Sequence, residues 1–112
     1  MTKNKFACGL DVALFVLGAK WKPLILFHLA HDARRYGELR RAVGSVSDKV
    51  LIQQLKELQE DGVIDRVDFG EIPPKVEYSL TQLGRGLAPV FDKIYEWGAI
   101  YLKSTRRSKA GA

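Results

Sequence analysis

Apolar and polar positions along this chain change period several times, and each change marks an element. Leu10, Leu14 and Leu17 recur at helical spacing, and Gly18 closes that segment. Trp21-Lys22-Pro23 opens a second helix, since proline suits a first turn whose N–H has no partner. Leu24, Phe27 and His28 are expected on one face of it, and Asp32-Ala33 should end it in a turn. A short helix follows from Tyr36 to Val43, with Leu39 and Val43 inward, Arg40 and Arg41 outward, and Gly44 as its stop. Ser47 is a suitable N-cap for the next helix and Asp48 suits its dipole. Leu51, Leu55 and Leu58 form the stripe of that helix, and Gly62 stands where a left-handed C-cap belongs.

The period then drops to two. Val63 to Phe69 and Lys75 to Leu80 read as strands, with Val76, Tyr78 and Leu80 alternating against Lys75, Glu77 and Ser79. Pro73-Pro74 cannot donate to a ladder, so it belongs to the hairpin tip with Gly70, Glu71 and Ile72. Thr81 should cap a last long helix carrying Leu83, Leu87, Val90, Ile94, Trp97 and Tyr101. Those steps of four and three make a heptad seam, which Pro89 should kink or divide. The pattern predicts one α+β domain over residues 1–112, with segments 1–8 and 103–112 as free ends. It contains no internal repeat.

A short helix, a capped second helix and a two-stranded hairpin make a winged helix-turn-helix, a module that mostly binds duplex DNA. Charge strengthens that reading. The chain is +5 overall, but residues 34–56 carry a net +4 and residues 57–102 a net −5. Arg34, Arg35, Tyr36, Arg40 and Arg41 precede a helix on which Lys49, Gln53 and Lys56 lie nearly opposite the leucine stripe. Glutamine can pair bidentately with adenine, and lysine can donate to guanine or phosphate. Ser47, Asp48 and Gln54 complete the expected contact set. A solvated helix face would show the same residue types, and only the arginines before it and the hairpin after it favour DNA. On the hairpin, Arg66 and Lys75 are the cations. Asp65, Asp68, Glu71 and Glu77 leave it acidic, so each cation either contacts DNA or pairs with an acid across the strands.

The final seam can close within the domain or against a second copy. Trp97 and Tyr101 lie far along it, and Leu10, Leu14 and Phe15 offer apolar surface from the other end of the chain. A homodimer through Leu10, Leu14, Phe15, Val90, Ile94, Trp97 and Tyr101 is expected. Two reading helices would then stand roughly 34 Å apart.

Other function classes find little support. No apolar run reaches the roughly 20 residues of a membrane span, and the basic start is not followed by a signal-peptide core. His28 and His31 lack a third ligand, no glycine-rich phosphate loop is present, and neither enzyme chemistry, a metal nor a cofactor is expected. The one cysteine excludes an internal disulfide and fits a reducing cytoplasm. Cys8 itself has two readings: a small buried hydrophobe, or a thiol at a helix start activated by N–H dipoles with Lys3 and Lys5 nearby. A winged helix used only for protein contacts is a further alternative, although it would not need the basic segment.

Four stretches together resemble the HxlR family of bacterial winged-helix regulators: Gly18-Ala19-Lys20-Trp21; Arg35-Tyr36-Gly37-Glu38-Leu39-Arg40-Arg41; Ser47-Asp48-Lys49-Val50-Leu51 with Leu55-Lys56-Glu57-Leu58; and Glu71 to Thr81. The resemblance implies a homodimeric DNA-binding transcription factor, often a repressor, on a pseudo-palindromic operator. It implies a reading helix from Ser47 to Asp61 and a wing over residues 66–77. In several members a cysteine near the N-terminus senses oxidants or electrophiles, and Cys8 matches that position. Gly9 departs from the proline that commonly follows, which loosens the helix start. A repressor regulated by a small ligand, with Cys8 inert, is the alternative within the same family.

Overall fold

The computed structural model describes residues 5–18 and 20–111. Helices α1 (Gly9–Leu17) and α2 (Trp21–Leu29) lead into β1 (Arg34–Arg35), α3 (Tyr36–Val43) and α4 (Asp48–Glu60). Strands β2 (Ile64–Asp68) and β3 (Val76–Leu80) follow, then α5 (Gln82–Arg85) and α6 (Ala88–Gly111). The sheet is antiparallel in the order β1-β3-β2. It therefore has three strands where the alternation predicts two. Arg34 pairs with Tyr78 and Arg35 with Glu77, adding a short edge to the hairpin where a plain turn was expected.

The core gathers Ile25, Leu26 and Leu29 of α2, Leu39 and Val43 of α3, and the α4 stripe, with Ile64, Tyr78 and Leu80 closing the sheet side. Leu51, Leu55 and Leu58 are 0–1% exposed, as their spacing predicts. The inward face of α2 is different from the expected one. Leu24, Phe27 and His28 are half-buried, and the buried positions are Lys22, Ile25, Leu26 and Leu29. On a helix apolar almost all round, spacing alone does not choose the face.

Local chemistry sets the ends of α4. Ser47 Oγ accepts from the Val50 N–H at 3.2 Å. At the other end Gly62 takes φ +74, its N–H reaches the Gln59 carbonyl at 3.0 Å, and the Val63 N–H reaches Leu58 at 3.0 Å. This paired closure needs a left-handed residue, and glycine carries no Cβ penalty there.

The last helical region is divided. Thr81 caps α5 rather than the long helix, its Oγ1 accepting from Gly84 N at 3.1 Å and donating to the Gly62 carbonyl at 2.7 Å. The break falls at Gly86-Leu87, so Pro89 sits in the first turn of α6, where it costs no hydrogen bond. Leu83 lies on α5 and is outside any seam of α6. The α6 helix runs on to Gly111, through the segment read as a free end.

The terminal helices are only partly held by the body. No residue of α1 is fully buried, and among the described side chains of α6 only Phe91 belongs to the buried core. The radius of gyration is 16.5 Å, against about 13 Å for a compact chain of this size.

Gly84 fixes the joint between the sheet and α5. A Cβ there would stand 2.2 Å from the Val63 carbonyl oxygen, which is backbone and cannot step aside. Gly84→Ala is expected to destabilise the fold by roughly 1–3 kcal/mol, read as a lower urea midpoint with an unchanged slope. A midpoint equal to wild type would mean that the joint opens freely.

Candidate nucleic-acid interface

Helix α4 presents Lys49, Gln53 and Lys56 as exposed residues, opposite the buried leucines. Gln54 is half-buried on its flank. Beside them α3 exposes Arg40 and Arg41, and Arg35 lies exposed just before it, its backbone N–H donating to Glu38 Oε1 at 2.8 Å. Among the described residues, the side chains of Arg35, Arg41, Lys49, Lys56 and Arg66 make no ion pair, so their charge is available to phosphate.

Not every expected contact residue is free. Asp48 Oδ1 accepts from Tyr36 Oη at 2.5 Å and from Arg40 Nε at 2.7 Å. Both Tyr36 and Asp48 therefore serve to join α3 to the first turn of α4. The hydrogen bonds from Tyr36 and Arg40 hold the Asp48 carboxyl below its ordinary range. Partial burial, with the Asp48 hydrogen bond second, pushes the Tyr36 phenol up to about 12. A depressed carboxyl keeps its contribution complete above its ordinary pKa and loses it only as pH falls through the lowered value. A raised phenol acts oppositely, so its contribution is lost only as pH climbs toward about 12. The junction is therefore intact across the neutral range. Arg40 still has its terminal guanidinium nitrogens to offer.

Arg34 departs furthest from expectation. It is half-buried in β1, and its Nε donates to the His28 carbonyl at 2.9 Å. It closes the end of α2 instead of facing outward with Arg35. Burial and the adjacent Arg34 charge lower the His28 pKa, which favours neutral imidazole packed edge-on to Phe27.

The hairpin is the second part of the candidate surface. Beyond Ile64 every residue of β2 is exposed. Asp68 turns back to accept from Gly70 N at 2.9 Å, which takes one acid out of play. Lys75 sits 3.9 Å from Glu77 and 4.5 Å from the Phe69 ring centre. Its partner acid is thus on its own strand, not across the ladder, and the aromatic is the cross-strand neighbour. Arg66 is the less committed cation. A groove of about 430 Å³ between α4 and the sheet is lined by Ile52, Lys56, Arg66 and Tyr78 among others.

Two residues outside the expected set belong to this surface. Ile52 is 55% exposed on α4 and Ile72 is 99% exposed at the hairpin tip. Ile52 falls beside Lys49 and Lys56 on a helical projection, a position that a polar-only search passes over. Apolar groups of this kind meet thymine methyls or groove walls.

The expected dimer residues Leu10, Leu14, Phe15, Val90, Ile94, Trp97 and Tyr101 are all between 46% and 67% exposed. They leave an unpartnered apolar face on α1 and α6. A shallow apolar cleft of about 240 Å³, lined by Val16, Leu17, Leu83 and Leu87, lies between α1 and the α5–α6 joint. Cys8 is exposed at the N-cap of α1, so its reading as a buried hydrophobe is withdrawn. Lys3, expected to support that thiol, lies outside the described residues. Among the described residues no helix is long and apolar enough to cross a membrane, and no cluster of His, Cys, Asp or Glu is arranged to hold a metal.

Comparison with known proteins agrees with this geometry. A family model described as HxlR-like helix-turn-helix matches residues 16–106. The uncharacterized HTH-type transcriptional regulator YtcD of Bacillus subtilis (strain 168) is 43% identical over 102 residues, 91% of this chain and 81% of that protein. Among solved structures, the redox regulator HypR in its reduced form aligns with a TM-score of 0.81 at 36% identity, covering 89% of this chain and 99% of HypR. The diamide-treated YodB from B. subtilis aligns with a TM-score of 0.66 at 31% identity, covering 84% and 94%. With a winged helix-turn-helix, an exposed basic face and these relatives, the chain belongs to the HxlR-like helix-turn-helix family of DNA-binding transcriptional regulators.

Proposed function

We propose that this protein is a homodimeric, sequence-specific repressor that binds a pseudo-palindromic operator in the cytoplasm and is released by an oxidant or electrophile acting on Cys8. The observation that carries the DNA reading is the division of α4 into a buried leucine stripe and an exposed Lys49-Gln53-Lys56 face, flanked by Arg40 and Arg41. Arg35, Arg40 and Arg41 would hold phosphates, which sets register and salt dependence. Ser47, Lys49, Gln53 and Gln54 would meet base edges, with Lys56 on phosphate, and Arg66 and Lys75 would flank a minor groove from the wing.

Dimerisation is supported by the exposed apolar residues on α1 and α6. These side chains are already about half buried, so covering the remainder with a partner would gain roughly 1 kcal/mol each. The two reading helices would then meet successive major grooves of one DNA face.

The sensing role rests on the exposure of Cys8 beside that apolar face, and on HypR and YodB, structures named for a redox regulator and for diamide treatment. With one thiol per chain, the chemistry is an intersubunit disulfide, a mixed disulfide or an adduct. An intersubunit disulfide requires the two Cα atoms to come within about 7 Å. The cleft beside α1 supports a second reading, in which a small apolar ligand regulates the same dimer and Cys8 is inert.

Three experiments test these claims. Genomic fragments retained by the protein give the operator, and binding is then measured across salt concentrations. Arg40→Ala should weaken all DNA alike and reduce the salt slope by about one, whereas Gln53→Ala should cost roughly 1–3 kcal/mol on the operator alone. Equal losses on every sequence for Gln53→Ala would remove base readout. In sedimentation, Ile94→Asp should raise the dimer dissociation constant by roughly two orders of magnitude; an unaltered dimer would place the interface elsewhere. Diamide or a quinone should release wild-type protein from the operator and leave Cys8→Ser bound. Identical release of both proteins would favour the ligand reading.

A further inference from the structure

One turn beyond Gln53, Glu57 divides its two carboxylate oxygens between different partners. Oε1 lies 2.6 Å from Lys22 Nζ, and Oε2 accepts from Gln53 Nε2 at 2.9 Å. Lys22 is unusual on its own account. It sits in the first turn of α2, its side chain is 11% exposed, and it is the charged residue that the described core contains. An ammonium withdrawn from water needs a counter-charge held close. Glu57, 36% exposed, supplies it, and so is tied to a helix that Ile25, Leu26 and Leu29 bury in the core.

The consequence falls on Gln53. Its amide can present either end outward when free, because oxygen and nitrogen occupy similar positions. Facing a carboxylate, which only accepts, the amide must turn its NH2 inward. One N–H is then committed to Glu57, while Oε1 and the second N–H remain for DNA. That leaves an acceptor beside a donor. Adenine offers the complement in the major groove, an N6–H donor beside the N7 acceptor, whereas guanine offers two acceptors, O6 and N7.

We infer that Lys22 and Glu57 form a positioning pair that fixes the Gln53 amide for adenine at one operator position, an inference that rests on α4 being the base-reading helix. Neither residue touches DNA. Lys22 acts through Glu57, and Glu57 acts through Gln53. A pair that merely joined α2 to α4 would alter stability and leave base preference unchanged.

The geometry makes an asymmetric forecast for Glu57→Gln. Lys22 would still demand an oxygen, so the new amide would turn its NH2 toward Gln53. Gln53 would then accept inward through Oε1 and turn its NH2 outermost, which reverses the order of acceptor and donor that fits adenine and lets both N–H groups reach guanine O6 and N7. Glu57→Ala would instead free the amide to take either order.

Selection of duplexes from a random library by each protein tests this. Wild type should prefer adenine at one position by roughly tenfold. Gln53→Ala should lose that preference. Glu57→Ala should reduce it to about twofold or less, and Glu57→Gln should turn it toward guanine. Undiminished adenine selection by Glu57→Gln overturns the inference. If Gln53→Ala selects the same sequences as wild type, Gln53 reads nothing and the inference fails at that step. If wild type selects no sequence, it is the base-reading role of α4 that has failed. A measurement on unmodified protein covers the case in which Glu57 variants do not fold. One Gln53 side-chain amide proton, assigned by its loss in Gln53→Ala, should exchange slowly and shift as Glu57 is protonated. A Gln53 amide indifferent to that titration would equally overturn the pairing.

Discussion

Burial of Leu51, Leu55 and Leu58 at 0–1% exposure fixes the rotation of α4 about its own axis. With a period of 3.6 residues, a rotation of one position would expose a leucine and bury a lysine or glutamine, an exchange costing several kcal/mol. The outward direction of Lys49, Gln53 and Lys56 is therefore a by-product of core packing. Two polar contacts refine what the leucines begin. Asp48 holds the first turn against Tyr36 and Arg40 of α3, and Glu57 holds the third turn against Lys22 of α2. A 13-residue helix anchored at both ends and along one side has little freedom left, which is what recognition of a rigid duplex favours.

Electrostatics follows from the same arrangement. The acids near the basic face are largely occupied by protein partners. Asp48 answers Tyr36 and Arg40, Asp68 answers the Gly70 N–H, and Glu57 answers Lys22 and Gln53. Each satisfied carboxylate is oriented and partly neutralised, so a net positive segment can carry acids without presenting them to phosphate. The hairpin, which keeps Asp65 and Glu71 exposed, is the weaker part of that field.

Legibility in the sequence tracks how local each cause is. Ser47, the α4 stripe and Gly62 act within a few residues of themselves, and each stands where spacing puts it. The β2–β3 hairpin is within one residue of its expected ends, because alternation and the Pro-Pro tip bound it. The β1 strand was not legible. It has two residues, and its partners Tyr78 and Glu77 lie more than forty positions away. The inward face of α2 was hidden by a surplus of apolar side chains, and the burial of Lys22 by the absence of any nearby acid in sequence. The break at Gly86 was masked by a heptad spacing that continues across it. At the interface, residue types were legible and their commitments were not. Nothing adjacent to Arg34 announces that its Nε closes α2, and nothing adjacent to Asp48 announces its two donors.

The close approach of Gly84 to the Val63 carbonyl has a mechanical consequence. It bolts α5 to the start of β2, so α5 moves with the sheet as one plate. Phe91 stays in the core and Tyr95 stacks on Phe27, so freedom to swing begins only beyond Tyr95. From there α6 runs on to Gly111, an arm of about 24 Å. A tilt of about 15° at its root carries its far end about 6 Å, which is close to one helical turn. Leverage of that kind converts a change too small to disturb the core into a displacement on the scale of a groove.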